Sequence, residues 1–114
     1  MSDRELLELA AKASGMDYLV WTPGASPIVP APKRIGGQMV WNPIHSDGDA
    51  LRLAAKLNLD IRFSWYDDTT AVFVGGTWDN APEAVHELFE RDVAASMRRA
   101  IVRAAAAIAA AQEA

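Results

Sequence analysis

The chain has no cysteine and only two histidines, His45 and His86. The first absence excludes disulfides, thiolate zinc sites and cysteine nucleophiles. The second leaves few groups to serve as a general base or as imidazole metal ligands. There is no excess of positive charge either. Eleven Lys and Arg against fifteen Asp and Glu give a net charge of −4, which argues against a protein that tracks a phosphate backbone. No apolar run approaches the roughly 18 residues of a membrane span. The opening S-D-R-E-L-L-E lacks the basic region and apolar block of a secretory signal. The expectation is a soluble, cytoplasmic protein. Glycine-rich phosphate loops of the G-x-G-x-x-G or Walker type are missing. Ser14, Ser26, Ser46, Ser64 and Ser96 have no G-x-S-x-G context. Trp78-Asp79 is a lone W-D pair with no repeat around it.

The 114 residues suit one domain, 1–114. A chain of this size buries roughly two-thirds of its unfolded surface, enough for one modest core without staples. Apolar residues make up 51%, but much of this is alanine near the C-terminus, which supplies helix propensity more than core volume. The larger candidates for the core are Leu7, Leu51, Leu57, Ile61, Phe63, Trp65, Phe73 and Ile101.

Ser2-Asp3-Arg4-Glu5 is a capping box, with the serine hydroxyl aimed at the Glu5 amide and Glu5 reaching back to the Ser2 amide. Leu6, Leu7, Ala10 and Ala13 follow at helical spacing, and Gly15 suits a left-handed stop, so a helix is expected at 3–14. D-Y-L-V-W-T at 17–22 reads as a strand. Four of the six prolines then fall between Pro23 and Pro32. They fix φ and remove donors, so 23–37 reads as a loop or arm with at most a short edge strand at Ile28-Val29, followed by a second short strand at 38–41. In W-N-P-I-H-S-D-G-D-A-L-R-L-A-A-K-L, 41–57, Asn42-Pro43 is a turn and Ser46 an N-cap. Asp47 and Asp49 place negative charge on the first turn, where the helix dipole favours it. Ala50, Leu51, Ala54 and Leu57 form the expected apolar stripe of a helix at 47–58. Leu59, Ile61, Phe63 and Trp65 alternate with polar residues, the period of a strand with one buried face, and T-A-V-F-V returns, giving a hairpin 59–66/70–74. Asn80-Ala81-Pro82-Glu83 reads as another helix start. Val85, Leu88 and Phe89 lie roughly opposite Met97, Ile101 and Ile108 on a common wheel. Two helices are therefore expected, 81–90 and 93–112, the second capped by Asp92. The class is α+β, a small mainly antiparallel sheet packed by helices.

His86 and Glu90 are i,i+4 on the expected helix and could share a metal ion in a hydrolase, with His45 the remaining histidine. The second histidine of H-E-x-x-H is absent, and the plainer reading is a polar helix face. No cofactor or metal is assigned. Asp47-Gly48-Asp49 lacks the ligand ladder and distal glutamate of a calcium loop. Asp67, Asp68 and Asp79 are more simply turn and loop residues. Arg98, Arg99 and Arg103 could contact phosphate, but without a basic balance or a stacking platform nucleic acid is disfavoured. Trp21, Ile28, Trp41 and Trp78 lie at strand ends or in loops beside the proline-rich arm, where aromatics suit a protein interface. A homodimer is compatible with the same features.

Three blocks, S-D-R-E-L-L-E-L-A-A-K-A-S-G at 2–15, the 41–57 segment and R-R-A-I-V-R-A-A-A-A-I at 98–108, together resemble small hypothetical proteins of tailed phages and prophages with the phage ABA-sandwich domain. The resemblance implies helices on an antiparallel sheet, a viral or prophage origin in a bacterial host cell, and no established activity or catalytic residue. The 23–37 and 81–91 segments depart from it. The expected function is a non-catalytic accessory protein that binds a protein, inhibition of a host defence system being one form. The alternative is a small nucleic-acid binder using the arginine helix.

Overall fold

The computed structural model describes residues 1–16, 19–24, 26–30, 38–66, 69–75, 85–88 and 92–113, with the backbone alone at 30, 38, 64–66, 69–71, 73 and 85–88. The described residues form an α+β fold of three helices and two antiparallel sheets.

Helix α1 spans Asp3–Ala13. The Ser2 hydroxyl accepts the Glu5 amide at 3.2 Å and donates to the Glu5 carboxylate at 3.2 Å. Glu5 thus closes the box on the side chain of Ser2 rather than on its amide. At the other end Gly15, at φ 83°, lets Met16 N–H reach Ala11 O and Gly15 N–H reach Lys12 O, the paired bonds of a Schellman stop. Helix α2, Asp47–Leu57, ends the same way, with Asn58 left-handed at φ 53° in the glycine's place. Helix α3, Val93–Glu113, is capped by Asp92, whose carboxylate accepts Ala95 N–H at 3.0 Å.

Strands β1, Ile28–Pro30, and β2, Gln38–Val40, form the small sheet. The expected 17–22 strand contributes one described bridge, Val20 to Ile28, closed by two reciprocal backbone bonds. The second sheet has the order β3-β4-β5, from Asp60–Tyr66, Thr69–Gly75 and Val85–Leu88. The expected hairpin is present, pairing Asp60 with Gly75 through Tyr66 with Thr69, so that Thr69 and Gly75 extend the return strand beyond the expected 70–74.

The expected helix at 81–90 is corrected. Residues 85–88 are a strand paired to β4, Ala71 opposite Leu88 and Val74 opposite Val85, while 81–84, 89 and 90 lie outside the described residues. The cause is tertiary. The hairpin leaves the second edge of β4 open at a strand whose Val72 and Val74 are fully buried, and buried backbone groups require partners. A ten-residue helix has too little stability of its own to compete.

Helix α3 is the centre of the molecule, packing on α1, α2, β4 and β5. Asp3 pairs with Arg99, and Lys12 with Glu113, so α1 and α3 run in the same direction. Buried residues on α3 are Ala100, Ile101, Val102, Ala104, Ala105, Ala106, Ile108 and Ala109, which cover about 240° of the wheel at 100° per residue.

Two expected core residues lie outside. Leu51 is 62% exposed and Leu53 is buried in its place. Leu51 is about 100° round the helix from Ala50, whereas Ala50, Leu53, Ala54 and Leu57 hold i, i+3, i+4, i+7. Phe63 is 42% exposed because α3 lies over β4 and β5 and leaves the β3 flank of the sheet less covered. Leu57 and Ile61 are half-buried, Leu7 and Ile101 buried. The side chains of Trp65 and Phe73 are outside the described set.

Candidate functional site

The 41–49 segment is a structural hub. Asn42 is buried; its side chain donates to Ser26 Oγ at 3.1 Å and accepts Ile44 N–H at 3.2 Å. The buried Asp49 carboxylate accepts Asn42 N–H at 2.9 Å and Arg52 at 2.7 Å. Ser46 caps α2 by accepting Asp49 N–H at 3.2 Å. The proline arm, the turn and α2 are therefore held by one connected set of bonds, and Asp47-Gly48-Asp49 is used up in folding. A second clamp runs from α3. Arg98, its side chain 14% exposed, donates to Ile44 O at 2.8 Å and to Asp47 at 2.6 Å.

This places the expected nucleic-acid residues. Arg98 is a tie between α3 and the 44–47 turn, and Arg99 is paired with Asp3 at 3.1 Å. Arg103 lines a shallow depression with Met1, Leu6 and Ala106. His86 lies in β5, so the helical i,i+4 face on which it was expected to meet Glu90 is not formed there; Glu90 lies outside the described residues, as do Asp67, Asp68 and Asp79. His45 is exposed. Among the described residues no three His, Cys, Asp or Glu groups are placed to hold a metal ion.

The expected aromatic surface divides. Trp41 is 5% exposed and belongs to the core, and its backbone N–H donates to Pro27 O. It is therefore corrected from a surface aromatic to a core residue that seats the end of β2. Trp78 lies outside the described residues. Trp21 is half-buried against the core, with the Arg4 guanidinium 4.7 Å from its ring centroid. It forms one wall of a groove of about 410 Å³ with Glu5, Glu8, Leu9, Lys12, Met16 and Leu19. Its indole Nε1 is buried with no hydrogen-bond partner among the described residues, and a buried donor left unpaired costs about 1–3 kcal/mol. Trp21→Phe removes that donor and keeps most of the ring. It is expected to leave stability unchanged or raise it by about 1 kcal/mol, measured by urea unfolding. A clear loss of stability would mean that the N–H is satisfied.

Ile28 belongs to a feature that sequence reasoning did not find. Val20 lies directly opposite Ile28, and Ile28 opposite Val40. Directly paired residues project to the same face. Val29, the neighbour of Ile28, is buried, so this row is on the outer face by strand alternation. Val20 is 37% exposed, Val40 60%, and Ile28 half-buried between them. The signal in the sequence was weak: two valines beside two tryptophans, aligned only by a register that the proline arm conceals.

The molecule at this point is a small α+β protein with an apolar row on the outside of its smaller sheet. Comparison with known protein families, with curated proteins and with solved structures finds no match to the chain.

Proposed function

We propose that the chain is a non-catalytic accessory protein that binds another protein through the outer face of its small sheet, centred on Val20, Ile28 and Val40 with Trp21 at one border. One observation carries the reading: three cross-strand neighbours on one face are all apolar, with Val40 well exposed and Val20 and Ile28 partly so. Aligned apolar residues on an exposed face mark contact sites more than isolated ones do. The phage or prophage origin, and a place in the bacterial host cytoplasm, rest on the likeness of the three sequence blocks alone. Action against a host defence system is one form this binding would take. Nucleic-acid binding through α3 has less support, since Arg98 and Arg99 are engaged within the fold.

The test is affinity capture with the purified full chain from nuclease-treated bacterial lysate, comparing wild type with Val40→Asp. A single protein enriched by the wild type is expected to fall at least about tenfold with the variant, the effect of a charge buried in an apolar contact. Equal capture by both would remove this face. Recovery of nucleic acid alone, with steep salt dependence, would favour the arginine helix.

A further inference from the structure

Among the described residues, β3 is the outermost strand of the larger sheet, with β4 as its one strand neighbour there. On the sheet face toward the core, Leu59 and Ile61 are half-buried and Phe63 is 42% exposed, because α3 covers β4 and β5. On the other face stand Asp60 and Arg62, exposed and bonded to each other at 3.1 Å. Charges on an edge strand ordinarily block pairing with another chain. Here they are opposite in sign and two residues apart, which makes the edge complementary to itself.

We propose that two copies of the chain pair antiparallel through β3, about a two-fold axis at Ile61. This inference does not rest on the small-sheet reading above. In this register Asp60 lies opposite Arg62 of the second copy, on both sides of the axis, and the two intermolecular ion pairs replace the intramolecular ones. On the core-side face Ile61 meets Ile61 of the second copy, and Leu59 meets its Phe63. Both faces are matched at once: apolar against apolar, acid against base. Opposite charges directly across an antiparallel pair are favourable and like charges are not. An axis at Asp60 or at Arg62 sets like charges opposite each other. An axis between two residues sets the apolar face against the charged one. An axis at Phe63 separates the two charges. The closed two-fold arrangement is also the commonest symmetry of homo-oligomers.

Sedimentation velocity of the purified full chain over a dilution series tests this. A concentration-dependent dimer is expected. Arg62→Asp sets carboxylates opposite one another twice and is expected to raise the dimer dissociation constant roughly tenfold or more. The double exchange Asp60→Arg with Arg62→Asp restores the complementarity and is expected to return it to near the wild-type value. Both side chains are well exposed, and a thermal melt verifies that each variant folds. Amide hydrogen exchange on the wild type gives an independent reading, with protection at 60–62 rising with protein concentration. A monomer at every concentration would overturn the proposal. So would a dimer indifferent to Arg62→Asp, a double exchange that restores nothing, or exchange at 60–62 that ignores concentration. Loss of the dimer with capture intact, or the reverse, separates this surface from the small-sheet face.

Discussion

Asp49→Ala is expected to lower the unfolding free energy by about 3 kcal/mol, a large share of the roughly 5–15 kcal/mol that holds a domain of this size together. The carboxylate is buried, and its Oδ2 is the acceptor for the buried amide of Asn42 at 2.9 Å. Truncation leaves that amide with no partner, which costs about 1–3 kcal/mol, and removes a charge-assisted bond worth about 1.5–3 kcal/mol. These terms overlap, so they do not sum in full. The Arg52 bond adds little, because the arginine side chain is 68% exposed and exposed ion pairs are worth about 0–1 kcal/mol. Three variants separate the contributions in urea unfolding. Asp49→Ala carries the full loss. Asp49→Asn keeps one oxygen for the Asn42 amide and is expected to lose about half. Arg52→Ala is expected to lose less than about 1 kcal/mol. If Arg52→Ala proves as damaging as Asp49→Ala, the ion pair and not the buried amide is what Asp49 serves.

The same residue shows where sequence reading stops. That Asp49 lies in the first turn of a helix capped by Ser46 was legible, because a cap is a local arrangement of four residues and the spacing carries it. That its carboxylate turns back to an amide seven residues earlier was not. This depends on the Asn42-Pro43 turn folding over the helix start, and Asn42 is itself held by Ser26 from the arm. The hairpin was legible for the reason the cap was, since strict alternation over seven residues fits the period of a strand and not that of a helix. Strand β5 was not. Val85, Leu88 and Phe89 have helical spacing, and the strand forms because β4 offers an edge that cannot stay open. The Val20, Ile28 and Val40 row was invisible for a related reason. No single segment contains it, and only the register of three chain passages puts the residues on one face. Trp41 was misplaced because exposure is a property of the packed molecule. An aromatic beside prolines reads as an interface residue until the packing of the whole chain puts its side chain in the core.

Helix α3 carries the second large expected effect. Ala105→Leu is predicted to destabilise the fold by about 3 kcal/mol, the upper part of the range for inserting bulk into a filled core. Ala105 is fully buried, as are Ala100 and Ala109 on the same helix and Ala10 on α1. A helix buried over about 240° of its circumference has little free side toward which to shift. Its partners are tied at both ends of the α1 pairing, through Asp3–Arg99 and Lys12–Glu113, and the sheet lies against it at β4 and β5. The alanines are therefore there for their size as well as for helix propensity: they let four elements reach one helix. The control is Ala110→Leu, further along the helix and exposed, where the same side chain is expected to change stability by less than about 0.5 kcal/mol. Propensity alone predicts no difference between the two positions, since leucine is nearly as good a helix former as alanine. A large loss at 105 with none at 110, read from urea midpoints, would show that α3 is set by close packing. Equal and small effects at both would mean that the neighbours of α3 can move apart, and that the helix is held by its ends.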